Sequence, residues 1–210
     1  MAKIKDLPEN TLERLIIYYK VLDVLERNKV EAISSEELAK RCGVNPAQLR
    51  KDLSFVGNLG TKGVGYSVKS LKYHLKKFLG ITQEWNVVLG GITPLAEYLL
   101  QSKELSKTGF YFMAAFDVKE ENIGKILNGV SVYNLDQLSY VMKAIKVDMA
   151  IITEEEAPEI YLEAFLKHDI RAILNLSSVP FFIEERGIQI ENFSFSMALT
   201  KLSFFLKNLA

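Results

Sequence analysis

The stretch SSEELAKRCGVNPAQLRKDLSFVGNLGTKGVGY, residues 34–66, decides how the amino-terminal part is read. Ser34 stands three residues before Glu37, the spacing of a capping box, and Leu38 and Ala39 begin an apolar face. Gly43 stops that helix. Asn45 is placed to cap the next one, Pro46 suits its first position, and Gln48 can reach back to the cap as the reciprocal partner. Two short helices thus meet across a tight turn, the pattern of a helix-turn-helix. On the second helix Leu49, Leu53 and Val56 share one stripe, which turns Ala47, Arg50, Lys51 and Ser54 the other way. That face is small, polar and basic. Ala47 permits close approach, Arg50 and Lys51 can reach phosphates or guanine edges, and Gln48 and Ser54 can hydrogen-bond bases or backbone, so these residues with Asn45 form the candidate DNA-facing set. An ordinary solvated helix face is the competing reading.

Residues 57–66 are glycine-dense and follow that helix directly, which predicts a β-hairpin wing. Glycines tolerate positive φ at the tip and let the backbone come close to a partner, while Lys62 supplies the charge there. Thr61, Lys62, Gly63 and Tyr66 join the DNA-facing set; a surface hairpin without a ligand is the alternative. Upstream, Asn10 precedes a run with Leu12, Leu15, Ile16, Tyr19, Leu22 and Leu25 at helical spacing and Glu13 at the third helical position. Downstream, Leu71, Leu75, Phe78 and Leu79 predict a helix that supports the wing. The domain so defined spans 1–79, with 80–84 as linker.

Charge divides at the same place. Residues 1–79 hold fifteen Lys and Arg against nine Asp and Glu, a net +6, so the neutral chain carries −6 in the remainder. A basic domain joined to an acidic one suits a protein that meets nucleic acid with one end only. With 210 residues, 49% of them hydrophobic, two cores can be buried. Cys42 is the single cysteine, which excludes an internal disulfide and suits a reducing cytoplasm. No apolar run approaches the roughly 20 residues of a bilayer span.

Beyond the linker, strand and helix patterns alternate: strands over 86–89, 112–116, 149–153 and 171–174, helices from 94, over 135–144 and over 159–168. Alternation of this kind predicts a doubly wound parallel sheet over 85–195, with a crevice at the strands' carboxyl ends. The first strand-to-helix turn reads Gly91-Ile92-Thr93-Pro94-Leu95-Ala96 in the register of a dinucleotide fingerprint. Gly91 keeps the tight turn and Ala96 the small third residue, but Thr93 stands at the middle glycine and Pro94 removes a backbone donor. Asp117 ends the second strand, where a ribose-binding acid belongs. A structural turn and a nucleotide site both fit this loop. No catalytic or metal-binding constellation is found: His74 and His168 read as surface residues, and Glu154, Glu155 and Glu156 as a solvated acidic loop at the crevice edge. The last helix, 196–208, lines up Leu199, Leu202, Leu206 and Leu209, widened by Phe204 and Phe205, and residues 196–210 are expected to form a dimerisation segment. The fold class is therefore α/β: an N-terminal winged helix-turn-helix, a C-terminal Rossmann-like sheet, and a terminal helix used in dimerisation.

Three motifs, Ser34-Ser35-Glu36-Glu37-Leu38, the run from Pro46 to Ser54, and Gly60-Thr61-Lys62-Gly63-Val64-Gly65-Tyr66, resemble the Rex family of redox-sensing transcriptional repressors, and the likeness runs from Arg14 to Leu206. It implies a homodimer on palindromic operator DNA, released when NADH binds and closes the dimer. It also implies a dinucleotide site holding NAD(H) with Gly91, Ile92, Thr93, Pro94, Leu95, Ala96, Asp117, Thr153 and Phe195; Asp117, Gly124, Asn175 and the pair Glu191-Asn192 fit the family's pattern. The chain departs from that pattern at Thr93, at Ala96, at Ser102, where a tyrosine is usual, and at Ser194, where an aspartate normally joins a switch network with Arg14. With both partners changed, the coupling between nucleotide and DNA is expected to be altered. Two alternatives stand beside an NADH-released repressor. One is a repressor whose α/β domain no longer answers NAD(H) and serves as a dimerisation scaffold, or binds another nucleotide or a coenzyme A derivative. The other is a small nicotinamide-dependent oxidoreductase, which lacks any positioned acid or base in the sequence.

Overall fold

Helix α1 (Glu9–Arg27) lays Thr11, Leu15, Tyr18, Leu22 and Leu25 into the core of an amino-terminal unit, Met1–Gln83. In the computed structural model, which describes residues 7–57, 59–61 and 65–209, this helix starts before Asn10. Pro8 caps it, its carbonyl accepting from the N–H of Thr11 at 2.8 Å and of Leu12 at 3.1 Å. The buried stripe also differs from the expected one: Leu12 and Ile16 are 40% and 39% exposed, while Tyr18 is fully buried and Tyr19 only partly. Both stripes share Leu15, Leu22 and Leu25; the choice between them is made by a polar partner for Tyr18, described below.

Strand β1 (Ala32–Ile33) leads into α2 (Ser35–Arg41) and α3 (Pro46–Val56), then β2 (Tyr66–Ser67) and α4 (Val68–Phe78). The Ser34 hydroxyl accepts from the Glu37 N–H at 3.1 Å, but the Glu37 carboxylate accepts from Arg41 at 2.8 Å instead of turning back to the cap. Half of the expected capping box is formed. Asn45 accepts from the Gln48 N–H at 2.8 Å and Pro46 takes the first helical position, as read from the sequence. Strands β1 and β2 pair antiparallel, Ile33 opposite Tyr66, and a bridge between Thr61 and Gly65 narrows the segment after α3.

The second unit, Glu84–Ala210, holds β3 (Trp85–Gly90), α5 (Pro94–Leu100), α6 (Lys103–Lys107), β4 (Phe110–Asp117), β5 (Ile126–Leu127), β6 (Val130–Asn134), α7 (Leu138–Ala144), β7 (Met149–Ile152), α8 (Pro158–Lys167), β8 (Ala172–Asn175), β9 (Gln189–Asn192) and α9 (Phe195–Lys207). The sheet order is β5-β6-β4-β3-β7-β8-β9, parallel except for β5. Without β5 this is the 3-2-1-4-5-6 order of a dinucleotide-binding sheet, whose direction reverses between β3 and β7. The strands β5, β6 and β9 and the short α6 escaped the sequence reading. A signal for the first two was present: Asn128-Gly129, with φ of 49° and 86°, joins Leu127 to Val130 in a two-residue hairpin turn.

One sheet face packs Val88, Phe116 and Ile152 under α7 and α8, with Tyr161 and Phe165 filling the space. The other packs Leu89 and Ala115 under α5, through Ala96 and Leu100. Farther along that second face, Val87, Phe110, Phe112, Met149, Ile151 and Leu174 line an apolar groove of about 340 Å³. Helix α9 buries none of its side chains in the chain.

Candidate functional site

The face of α3 expected to meet DNA is on the surface: Asn45, Ala47, Arg50, Lys51 and Ser54 are all exposed. Arg50 is steadied by the Ser35 hydroxyl at 3.1 Å and the Glu36 carboxylate at 3.8 Å, both weak, water-exposed contacts that a phosphate can displace. Ser54 donates to the Lys51 carbonyl at 2.6 Å. Gln48 is a correction: its amide does not return to the Asn45 cap but donates to Asp52 at 2.8 Å, so it braces the helix from within. Tyr66 is another. Its ring is 7% exposed, belongs to the core, and lies where a Cβ on Gly60 would be 2.8 Å from it, so it supports the wing by packing. Thr61 is exposed; Lys62 and Gly63 lie outside the described residues.

The sequence reading missed what aims this face. Asp52, between Leu49 and Val56 on the stripe of α3 that faces the core, is fully buried. Arg14 grips both of its oxygens, Nε to Oδ2 at 2.7 Å and Nη2 to Oδ1 at 2.8 Å, and the Tyr18 hydroxyl donates to Oδ2 at 2.7 Å. With Gln48 that makes four donors on one carboxylate. Burial by itself raises the Asp52 carboxyl, but the bonds from Arg14, Tyr18 and Gln48 outweigh it and hold the group below the usual carboxylate range. Burial, with the bond to Asp52, pushes the Tyr18 hydroxyl above its ordinary value. A charge on an apolar stripe was the available signal, since such a group is retained only with a partner. Arg14, expected in a switch network with Ser102 and Ser194, is thus committed to Asp52 inside its own unit.

In the second unit the loop after β3 carries the fingerprint. Gly91 has φ +85°, and a Cβ there would sit 2.7 Å from the backbone N of Glu154, so the turn demands glycine. Fully buried Ala96 keeps α5 close to the strand, and the Thr93 hydroxyl, in place of the middle glycine, caps α5 by accepting from the Ala96 N–H at 3.2 Å. Thr153 donates to the Gly91 carbonyl at 2.7 Å, tying the loop to the end of β7. Ile92 N–H donates to Asp117 at 2.9 Å. This bond bears on the expected ribose acid. Asp117 is fully buried and accepts also from Val118, Lys119 and Asn122 at 2.7 to 2.9 Å and from the Tyr161 hydroxyl at 3.3 Å. It knots the loop ends together and has no oxygen left for a ribose, contrary to the sequence reading. The loop therefore fits a dinucleotide in its turn and in its close helix packing, and departs from one in its donors: Ile92 and Ala96 are committed and Pro94 has none.

Glu154 is also not the solvated residue expected. It is 4% exposed, its Oε1 accepts from the N–H groups of Glu155 and Glu156 at 3.0 and 3.2 Å, and Lys119 lies 3.3 Å from its Oε2. Phe195 is exposed at the start of α9, edge-on to Phe193 at 5.1 Å between ring centroids. Ser194 caps α9 through the Met197 N–H at 3.4 Å, and Ser102 stands at the start of α6 without a side-chain cap. Asn175 donates to Asn192 at 2.8 Å, and Asn192 in turn brackets the backbone of Phe181, closing the edge between β8 and β9.

Comparison with known proteins finds two family models: "Putative DNA-binding protein N-terminus" over residues 6–54 and "CoA binding domain" over residues 82–179. The chain is 38% identical, over 97% of its length and 98% of the relative's, to the redox-sensing transcriptional repressor Rex of Syntrophobacter fumaroxidans. It is 36% identical to that of Desulfitobacterium hafniense, over 94% of each chain. Among solved structures it is similar to RSP in complex with β-NAD⁺ and operator DNA, with a TM-score of 0.90 and 27% identity over 96% of this chain and 93% of that one. RSP in complex with β-NADH gives a TM-score of 0.85 at 25% identity, over 97% and 95% of the two chains.

Proposed function

The chain belongs to the Rex family of redox-sensing transcriptional repressors, and on that premise we propose that it is a homodimeric DNA-binding repressor that senses the NADH/NAD⁺ state and leaves its palindromic operator when NADH binds. The observation that carries this reading is the basic, exposed face of α3, held out on a buried Asp52 anchor in the same chain as a glycine turn at the carboxyl end of β3. Gly91, Ala96 and Thr153 would shape the nucleotide crevice, and the nicotinamide ring would supply the redox-dependent difference in fit. We assign the crevice to sensing, not turnover, in keeping with the repressors named among its relatives. No helix among the described residues is long and apolar enough to cross a membrane, and a repressor working on its operator belongs in the cytoplasm. The DNA domain is taken as 1–79 and the nucleotide domain as 85–195.

Operator binding followed by fluorescence anisotropy at fixed salt tests this, with NADH and NAD⁺ titrated separately. Release by NADH at concentrations where NAD⁺ leaves the complex intact is expected. Binding that ignores both dinucleotides would instead support the second reading, favoured by the committed Asp117 and by the match to a CoA-binding domain, of a crevice for another nucleotide or a coenzyme A derivative.

Residues 196–210 are proposed to join the subunits. Leu199, Leu202 and Leu206 are 64%, 59% and 65% exposed in the single chain, an apolar surface that water disfavours. Leu202→Asp with Leu206→Asp should give a monomer by size-exclusion chromatography with light scattering, and weaken binding to a palindromic operator by about 100-fold or more, since one half-site alone is then held. A dimer that survives both changes would remove α9 from the interface.

A further inference from the structure

Strand order places β3 between β4 and β7, and the phosphate loop leaves the carboxyl end of β3. Lys119 follows β4 by two residues and Glu154 follows β7 by two, so their 3.3 Å ion pair spans the mouth of that loop. The Glu154 backbone lies within 2.7 Å of where a Gly91 side chain would begin, which places the pair beside the glycine turn. Two carboxylates hold the ammonium unequally. Glu154 is buried, and among the described residues its Oε2 has no hydrogen-bond partner but lies at ion-pair distance from the Lys119 ammonium; Glu156, 3.8 Å from that ammonium, has its side chain 82% exposed. The first hold is persistent because a buried carboxylate needs its counter-charge, and the second is weak.

We propose that Lys119, held over the phosphate loop by Glu154, captures a phosphate of the bound dinucleotide. The inference rests on the nucleotide-sensing reading above. An ammonium has three donors, so Lys119 can keep Glu154, drop Glu156 and reach a phosphate oxygen. The loop's own chemistry calls for such a cation, because Ile92 and Ala96 have given up their N–H groups and Pro94 has none to give. The phosphate has two sources. It is the bridging diphosphate common to NADH and NADPH, or the extra ribose phosphate of NADPH, which a cation near the end of the second strand of such a sheet accommodates.

The test is calorimetric binding of NADH and of NADPH to the full-length protein and to Lys119→Gln and Lys119→Arg. Lys119→Arg keeps the counter-charge of Glu154, whereas Lys119→Gln leaves that buried carboxylate unpaired, so the binding of each variant is measured below its own melting transition, read by circular dichroism. Loss of a charge-assisted bond to phosphate should weaken binding by about tenfold or more in Lys119→Gln, with Lys119→Arg largely restored. An equal loss for both ligands identifies the diphosphate; a loss confined to NADPH identifies the ribose phosphate. Unchanged affinity of Lys119→Gln for both, with the unaltered protein binding normally, overturns the proposal alone. An unaltered protein that binds neither ligand at about 1 mM, a binding free energy near −4 kcal/mol, overturns the dinucleotide reading and this proposal with it.

Discussion

Replacing Asp52 by Ala is expected to destabilise the amino-terminal unit by about 3 kcal/mol or more, a large share of the total stability of a small domain. The substitution removes four hydrogen bonds at once and strands two of the donors: the Arg14 guanidinium, partly shielded, and the Tyr18 hydroxyl, fully buried. Unpaired groups of this kind cost more than the bonds they formed were worth. Thermal unfolding by circular dichroism reads the loss, and operator anisotropy should show the variant failing to bind before it unfolds, since α3 loses its anchor to α1. A stability change below about 1 kcal/mol would show that the network is dispensable. The acid side gives a second check. Because the folded carboxyl lies below its unfolded value, the stabilisation is present above the unfolded value, near pH 4, and is lost as pH falls through the lower folded one. Against Asp52→Asn, the unaltered protein should therefore keep its full advantage at neutral pH and lose it only below about pH 4.

Gly91→Ala should be comparably severe, and confined to the second unit. The residue sits at φ +85°, where an L side chain costs about 1–2 kcal/mol. Its Cβ would also press on the backbone N, Cα and Cβ of Glu154 at 2.7 to 3.0 Å, and that backbone follows a central strand that cannot move aside. Together these predict about 3 kcal/mol of destabilisation and loss of nucleotide binding, with operator binding by the unliganded protein retained. Gly129→Ala is the comparison: its φ is +86° but nothing lies within 4 Å, so strain alone should cost about 1–2 kcal/mol. If the two variants melt alike, the close approach of Gly91 to Glu154 is not what the turn requires glycine for.

These residues also mark how far the sequence could be read. Ser34 and Asn45 announced their caps because a cap is made with a neighbour three residues away, and the alternating strands and the Gly91 turn are likewise patterns of short range; the tip of the expected wing, 62–64, lies outside the described residues. Asn128-Gly129 was legible in the same way and went unread. Asp52 carried a signal, a charge on an apolar stripe, but not the identity of its partner Arg14, 38 residues away. Tyr66, Gln48, Asp117 and Glu154 were not legible: each looked like a surface or ligand-binding group, yet each is spent inside the fold, Asp117 on Ile92, 25 residues away, and Glu154 beside Gly91 and Lys119. By itself the sequence determined most of the long elements, their alternation, the division of charge and the face of α3 that carries it, because those follow from local hydrogen bonding and from the period of apolar residues. Only the tertiary structure decided which polar groups remain free to meet DNA or a nucleotide, because a buried donor or acceptor must find its partner wherever the packed chain brings one, at whatever distance along the sequence.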